Sequence, residues 1–227
     1  MANTTPRAKF SIKHLLMADK FRATIDIRYY LNGIAIIPCK TGGVYIAASD
    51  GHTMLIARDE SGILSDAQPE GIIIAIKPGF IAAARRFARK DYLSVILEDG
   101  RLSINSDFGM SQSESEAFVS PGIALIDAKF PRVLRLVPDF EKLKPNTSLT
   151  INASYLARIA AVNSIGTLLR PMGIKLWTDE EQQKVVVQLF SHPEVLIVIM
   201  GLRCSDYDDG TFPSAEMICA EQRTENA

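Results

Sequence analysis

Apolar positions along the chain change period in the same order three times. A short apolar strand at 10–12 gives way to helical spacing through Leu15, Leu16, Ala18, Phe21 and Ile25. Strand-like runs follow at 29–37, 44–48 and 54–57. They are parted by Lys40-Thr41-Gly42-Gly43 and Asp50-Gly51, where glycine accepts the positive φ of a hairpin turn. After a polar connector at 65–71 the plan returns, with a strand at 72–76, a helix over 80–90 and strands at 92–97 and 102–105. A further strand is expected within 111–118. The third cycle has a strand at 148–151, Asn152 as N-cap, a helix over 153–162, and strands at 174–177, 184–190 and 195–202.

The recurrent unit is therefore strand, helix, three strands, with a period of roughly 50 to 60 residues. Hairpins outnumber crossovers, which argues against a doubly wound sheet. The expected class is α+β, with repeated strand–helix–three-strand half-modules, antiparallel sheets, and helices on one side. One such unit has too small a core to stand alone, so the units should pair.

Composition narrows the function. Hydrophobic residues make up 47% of the 227, which excludes wholesale disorder. No apolar run is long enough to span a bilayer, and MANTTPRAKF lacks the apolar core of a secretory signal. No membrane partner is expected. Cys39, Cys204 and Cys219 are odd in number and far apart, which suits a reducing, cytoplasmic location rather than a disulfide framework. The formal net charge of -1 means that any contact with nucleic acid must rely on cations gathered locally. Such a cluster exists in the second helix, where Arg85, Arg86, Arg89 and Lys90 lie off the apolar face of Ile81, Ala84, Phe87 and Ala88. Lys20 and Arg22 near the first helix and Arg158 on the third extend it. Ordinary solvated helix faces would look the same from charge alone.

Catalytic chemistry is not apparent. There is no phosphate-cradling glycine loop, and His14, His52 and His192 lack metal-ligand spacing. Ser49-Asp50-Gly51-His52 is not a nucleophile elbow. No cofactor, no metal and no enzymatic activity of the chain's own are expected.

Three segments carry a family resemblance. Ile27-Arg28-Tyr29-Tyr30-Leu31-Asn32-Gly33, followed by Ala48-Ser49-Asp50-Gly51-His52, resembles the signature of the bacterial sliding clamps, the β subunit of DNA polymerase III. The run from Lys129 through Phe130-Pro131-Arg132 to Pro138 resembles that family's connector, and Val198-Ile199-Met200-Gly201-Leu202-Arg203 resembles its closing strand. The resemblance covers about residues 9–204 and implies a shortened relative. Residues 9–120 resemble the clamp's middle domain with two half-modules, 121–147 form a connector, 148–204 resemble the second half of its last domain, and 205–227 form a polar tail.

The resemblance implies a DNA-clamp-like fold and a processivity factor that tethers a DNA polymerase to duplex DNA, contacted non-specifically. Lys20, Arg22, Arg85, Arg86, Arg89 and Arg158, assigned by helix face, would touch the DNA backbone. It also implies a pocket for the short peptide motifs of polymerases, clamp loaders and repair proteins. Its walls would be Leu31, Ser49, Gly51, His52, Thr53, Met54, Pro131, Arg135, Leu136, Val198, Met200, Gly201 and Leu202. Thr53 stands where the family usually has arginine, and Gly201 where it has proline. The alternative is a clamp-like module that binds such peptides, or competes for them, without encircling DNA. An unpaired third half-module implies a homo-oligomer in either case, unless the tail folds back over it.

Overall fold

The computed structural model describes residues 6–65, 70–87, 93–106, 116–119, 125–138, 140–145, 151–165, 173–179 and 184–201. The first unit contains β1 (Ala8–Ser11), α1 (Ile12–Asp19), β2 (Ile34–Pro38), β3 (Val44–Ser49) and β4 (Thr53–Asp59), with β5 (Ile63–Leu64) after it. The second contains β6 (Ile72–Ile74), α2 (Pro78–Phe87), β7 (Leu93–Glu98), β8 (Arg101–Ser106) and β9 (Glu116–Val119). The connector holds β10 (Leu125–Ile126), two 3-10 turns at Val133–Arg135 and Phe140–Lys142, and β11 (Lys144–Pro145). The third unit contains α3 (Ala153–Asn163), β12 (Ile174–Thr178), β13 (Lys184–Leu189) and β14 (Val195–Met200). The antiparallel α+β expectation is met.

The first two units pair by exchanging their leading strands. β1 joins β7 of the second unit, with Phe10 opposite Val95, and β6 joins β2 of the first, with Ile34 opposite Ile74. Gly33 lies at this junction. A Cβ there would run into the Ile73 side chain and come within 2.9 Å of the Ile74 carbonyl oxygen, so only glycine fits. Two sheets result, one ordered β5-β1-β7-β8-β9 and the other β10-β6-β2-β3-β4-β14-β13-β12-β11.

The third unit continues the larger sheet. β14 pairs with β4, matching Val195–Ile199 against Ala57–Thr53 in antiparallel register. Period-2 alternation divides the side chains of this sheet between two cores. Ile34, Ile46, Leu55, Val187 and Ile197 face the helices and join Leu15, Phe21, Phe80 and Ile159 in the main core. Ala35, Ala47, Met54, Ile56, Val186 and Val198 face the other way, where the connector covers them with Val133 and the partly buried Phe130, Val137 and Leu143.

Two elements differ from the sequence expectation. α1 stops at Asp19, short of the expected Phe21 and Ile25. Phe21 is still buried, but Ile25 is 98% exposed. Thr24-Ile25-Asp26-Ile27 is rich in β-branched residues, which lose χ1 freedom in a helix, and no turn of helix above it offers them burial. The expected strand at 29–37 begins only at Ile34, because Tyr29–Asn32 forms a 3-10 turn with the Leu31 N–H donating to the Arg28 carbonyl at 2.8 Å. The Asn32 side chain fixes this turn by accepting from the Asp26 N–H and donating to the Asp26 carbonyl, both at 3.0 Å. Asn152 caps α3 as expected, its side chain accepting from the Ser154 N–H at 2.9 Å. Residues 148–150 of the expected third leading strand, and Leu202 of the last strand, lie outside the described residues, while Ile151 precedes α3 in irregular structure.

A candidate peptide-binding surface across the β4–β14 junction

The turn between β3 and β4 is held from several sides. Its Asp50 carboxylate accepts from the His52 N–H at 2.9 Å, the Thr53 N–H at 2.7 Å and the Thr53 hydroxyl at 3.0 Å. The Ser49 hydroxyl donates to the Thr53 carbonyl at 2.8 Å and accepts from the Gly51 N–H at 3.0 Å. Gly51 has φ +91°, which favours glycine, and the Arg28 guanidinium lies 2.7 Å from where a Cβ would sit. Arg158 reaches over from α3 to pair with Asp50, and it also donates to the Thr53 hydroxyl at 3.0 Å. Burial pushes the Asp50 carboxyl up, but the His52 and Thr53 N–H groups, Arg158 and the Thr53 hydroxyl together hold it below the usual carboxylate range.

This turn meets the end of β14. The Met200 N–H donates to the His52 carbonyl at 2.9 Å, and Met54 lies opposite Val198. Met54, Val198 and Val133 belong to one buried cluster, so the connector turn bearing Arg135 and Leu136 rests on the same face. Met200 follows Val198 by two residues and shares that face. Leu136 and Met200 are 50% and 45% exposed, leaving large apolar side chains open at the rim of a packed base.

The residues expected to line a pocket differ in exposure, and Leu31 belongs to neither of the two buried apolar clusters. Leu31, Ser49, Thr53, Met54 and Val198 are buried; Pro131 and Gly201 are half-buried; Gly51, His52, Arg135, Leu136 and Met200 are exposed. Leu202 lies outside the described residues. Arg28 was not anticipated. Its guanidinium is held by Asp26 at 2.8 Å and lies against Gly51, which adds a fixed cation beside the apolar rim. Nothing in hydrophobic spacing signals it, since it depends on a loop folding back over a glycine.

A groove of about 380 Å³ lies on the same outer face toward the start of β14, lined by Leu143, Trp177, Val186, Gln188, Pro193, Glu194, Val195 and Leu196. Sequence reasoning missed it because the connector's Leu143 closes it from a distant part of the chain.

The cations expected to touch DNA also separate. Arg22 pairs with Asp19 at 2.8 Å and is mostly buried, and Arg158 is engaged with Asp50. Arg86 is exposed, Lys20 is half-buried, and Arg85 remains mostly open with only a 3.9 Å approach to Asp19. Arg89 lies outside the described residues. Among the described residues no group of His, Cys, Asp and Glu could hold a metal ion, and no helix is long and apolar enough to cross a membrane.

No protein-family model matches the sequence, and no curated protein matches it. Solved structures do. The sliding clamp (DNA polymerase III subunit beta) of Bartonella birtlesii bound to griselimycin superposes with a TM-score of 0.61 at 18% identity, covering 89% of this chain and 67% of that one. The DNA polymerase III subunit beta of Borrelia burgdorferi in complex with a natural product gives 0.60 at 12% identity, covering 89% and 65%. The DNA polymerase sliding clamp of Pseudomonas aeruginosa gives 0.57 at 16%, covering 89% and 68%. The chain has the fold of these clamps and spans about two-thirds of their length.

Proposed function

We propose that this chain, which has the sliding-clamp fold, acts as a clamp-like processivity factor. It would hold a DNA polymerase at duplex DNA and recruit it, with loader or repair proteins, through short peptide segments. The observation that carries the reading is the β4–β14 junction. There Met54 lies opposite Val198, more than 140 residues later in the chain, and the connector's Val133 joins them in one buried cluster, which supports a site drawing on all three segments.

An apolar rim on a packed base suits an extended peptide with aliphatic or aromatic anchors. Met200 is unbranched and polarisable, so it adapts to more than one anchor, while Arg28 and Arg135 offer positive charge to acidic positions or a carboxylate end. Nothing in this role needs a nucleophile or a metal, because tethering is mechanical. Retention on DNA would use backbone electrostatics from Lys20, Arg85 and Arg86.

The test has two arms. A fluorescent clamp-binding peptide should bind the full chain, with a scrambled peptide as control, and closed circular duplex should retain the protein better than the same DNA after linearisation. Failure in both arms overturns the reading.

A further inference from the structure

We propose that the chain's own acidic tail, through residues 206–218, docks on the candidate peptide-binding surface and holds it against partner peptides until a tighter segment displaces it. The inference rests on the reading that this surface takes peptides, and adds how access to it is regulated.

The last strand delivers the chain to this surface. Met200 ends β14 and the half-buried Gly201 follows it, so every later residue starts from the rim. Twenty-six residues come after Gly201. Those at 202–210 can span up to about 30 Å, several times the spacing of about 4.8 Å between neighbouring strands. Reach is therefore no obstacle to placing 211–218 on the rim. A segment tethered this closely meets the surface at an effective concentration of about millimolar, so weak contacts suffice to hold it.

Charge makes the two complementary. Residues 202–227 hold Asp206, Asp208, Asp209, Glu216, Glu221 and Glu225 against only Arg203 and Arg223. The formal net charge of the whole chain is -1, so residues 1–201 carry a positive excess. Part of that excess stands at the rim. Arg132 and Arg135 are exposed on the connector turn beside Leu136, and Lys184 lies opposite Met200 in the register of β13 with β14. Opposite residues of an antiparallel pair share a face, which sets the Lys184 side chain beside Met200. Two carboxylates of the site are already engaged, Asp26 with Arg28 and Asp50 with Arg158. The tail also brings apolar anchors. Phe212 follows Asp206, Asp208 and Asp209, and Met217-Ile218 lies between Glu216 and Glu221. Apolar anchors among carboxylates match the open side chains of Leu136 and Met200 among cations.

The test keeps the full chain. A tail docked about nine-tenths of the time slows its own exchange and lowers apparent peptide affinity by about tenfold. Hydrogen exchange should therefore show amides at 206–218 protected in the wild type and about tenfold faster in Met200→Glu and in Arg135→Glu, the second change leaving the apolar patch intact. A fluorescent clamp-binding peptide should bind a variant carrying Phe212→Ser, Met217→Ser and Ile218→Ser about tenfold more tightly than the wild type, because its competitor is gone. Protection of 206–218 that is absent, or that survives either substitution, overturns the proposal. So does a peptide that binds the wild type and the triple variant equally well, a result that leaves the peptide reading standing. A peptide that binds neither chain removes that reading instead, and protection of 206–218 that both substitutions abolish still upholds the docked tail.

Discussion

Asp50 binds the turn that presents the candidate site and also fastens α3 to it through Arg158, so one carboxylate serves both the site and the junction between units. Replacing Asp50 by Ala strands the Thr53 N–H and the Arg158 guanidinium in a part-buried place, and should cost about 1–3 kcal/mol in a denaturant titration. Met200→Glu should behave differently. Met200 is 45% exposed, so the midpoint should move little while peptide affinity falls at least about tenfold, a loss of about 1.4 kcal/mol. Cys39 offers a third check on local chemistry. The Thr41 hydroxyl, then Tyr45, stabilise its thiolate and bring the thiol down to about 7, so its alkylation by iodoacetamide should rise through half-maximum near that pH. At this scale the sequence was legible where a residue's role is local: Asn152 as a cap and Gly51 as a turn glycine follow from type and position. The role of Arg158 was not legible. A basic residue on a helix reads as a solvated or DNA-facing cation, and only the fold brings Asp50, 108 residues earlier, into contact with it.

Among elements, β14 decides the architecture. Its run Val195–Met200 is apolar at every position, which marks a strand buried on both faces, and the structure uses one face for the main core and the other for the connector side. Most strands and all three helices were visible in the periodicity for that reason. The 29–37 run was misread as one strand because Tyr, Leu and Ile fit a strand or a tight turn equally well; Asn32 and Gly33 broke it in the fold. Carboxylates guard the β14 junction at two points. Besides Asp50, Glu194 lies within 3.5 Å of His14 on α1 and 3.3 Å of His192. Burial raises the Glu194 carboxyl, but the His14 and His192 hydrogen bonds outweigh it and leave it far below its ordinary range. Both carboxyls are depressed on folding, so their stabilisation is complete above the unfolded values of about 4 and is lost as pH falls through the folded ones. Because both attach the third unit to the first, acid should loosen that unit before the rest. Trp177, the single tryptophan, lies in β12 and reports on it. Its fluorescence should change at a higher pH than the far-UV circular dichroism of the whole chain; coincident transitions would contradict the argument.

For the whole molecule the governing fact is that the formal net charge is -1, so the proposed hold on DNA would rest on a few placed cations rather than on long-range attraction. The antiparallel, helix-on-one-face architecture was legible because the same unit recurs. The separation of cations was not, because Arg22 and Arg158 look like Arg85 and Arg86 until their partners Asp19 and Asp50 are placed beside them. The geometry turns that separation into a quantitative expectation. Each phosphate neutralised on duplex DNA contributes about 0.9 to the slope of log K against log salt. Arg85→Gln with Arg86→Gln should therefore weaken binding at low salt and reduce the slope by about two for each copy in contact with DNA, without altering peptide affinity. Arg22→Gln should instead lower the melting temperature, since its guanidinium supports Asp19 and the carbonyls of Ala23 and Asn32, and should leave the slope unchanged. Filter binding from about 50 to 200 mM salt distinguishes the two, a range over which several phosphate contacts change affinity by orders of magnitude. A slope that Arg22→Gln lowers as much as the Arg85 and Arg86 changes do would place the DNA on a different face of the molecule from the one α2 presents.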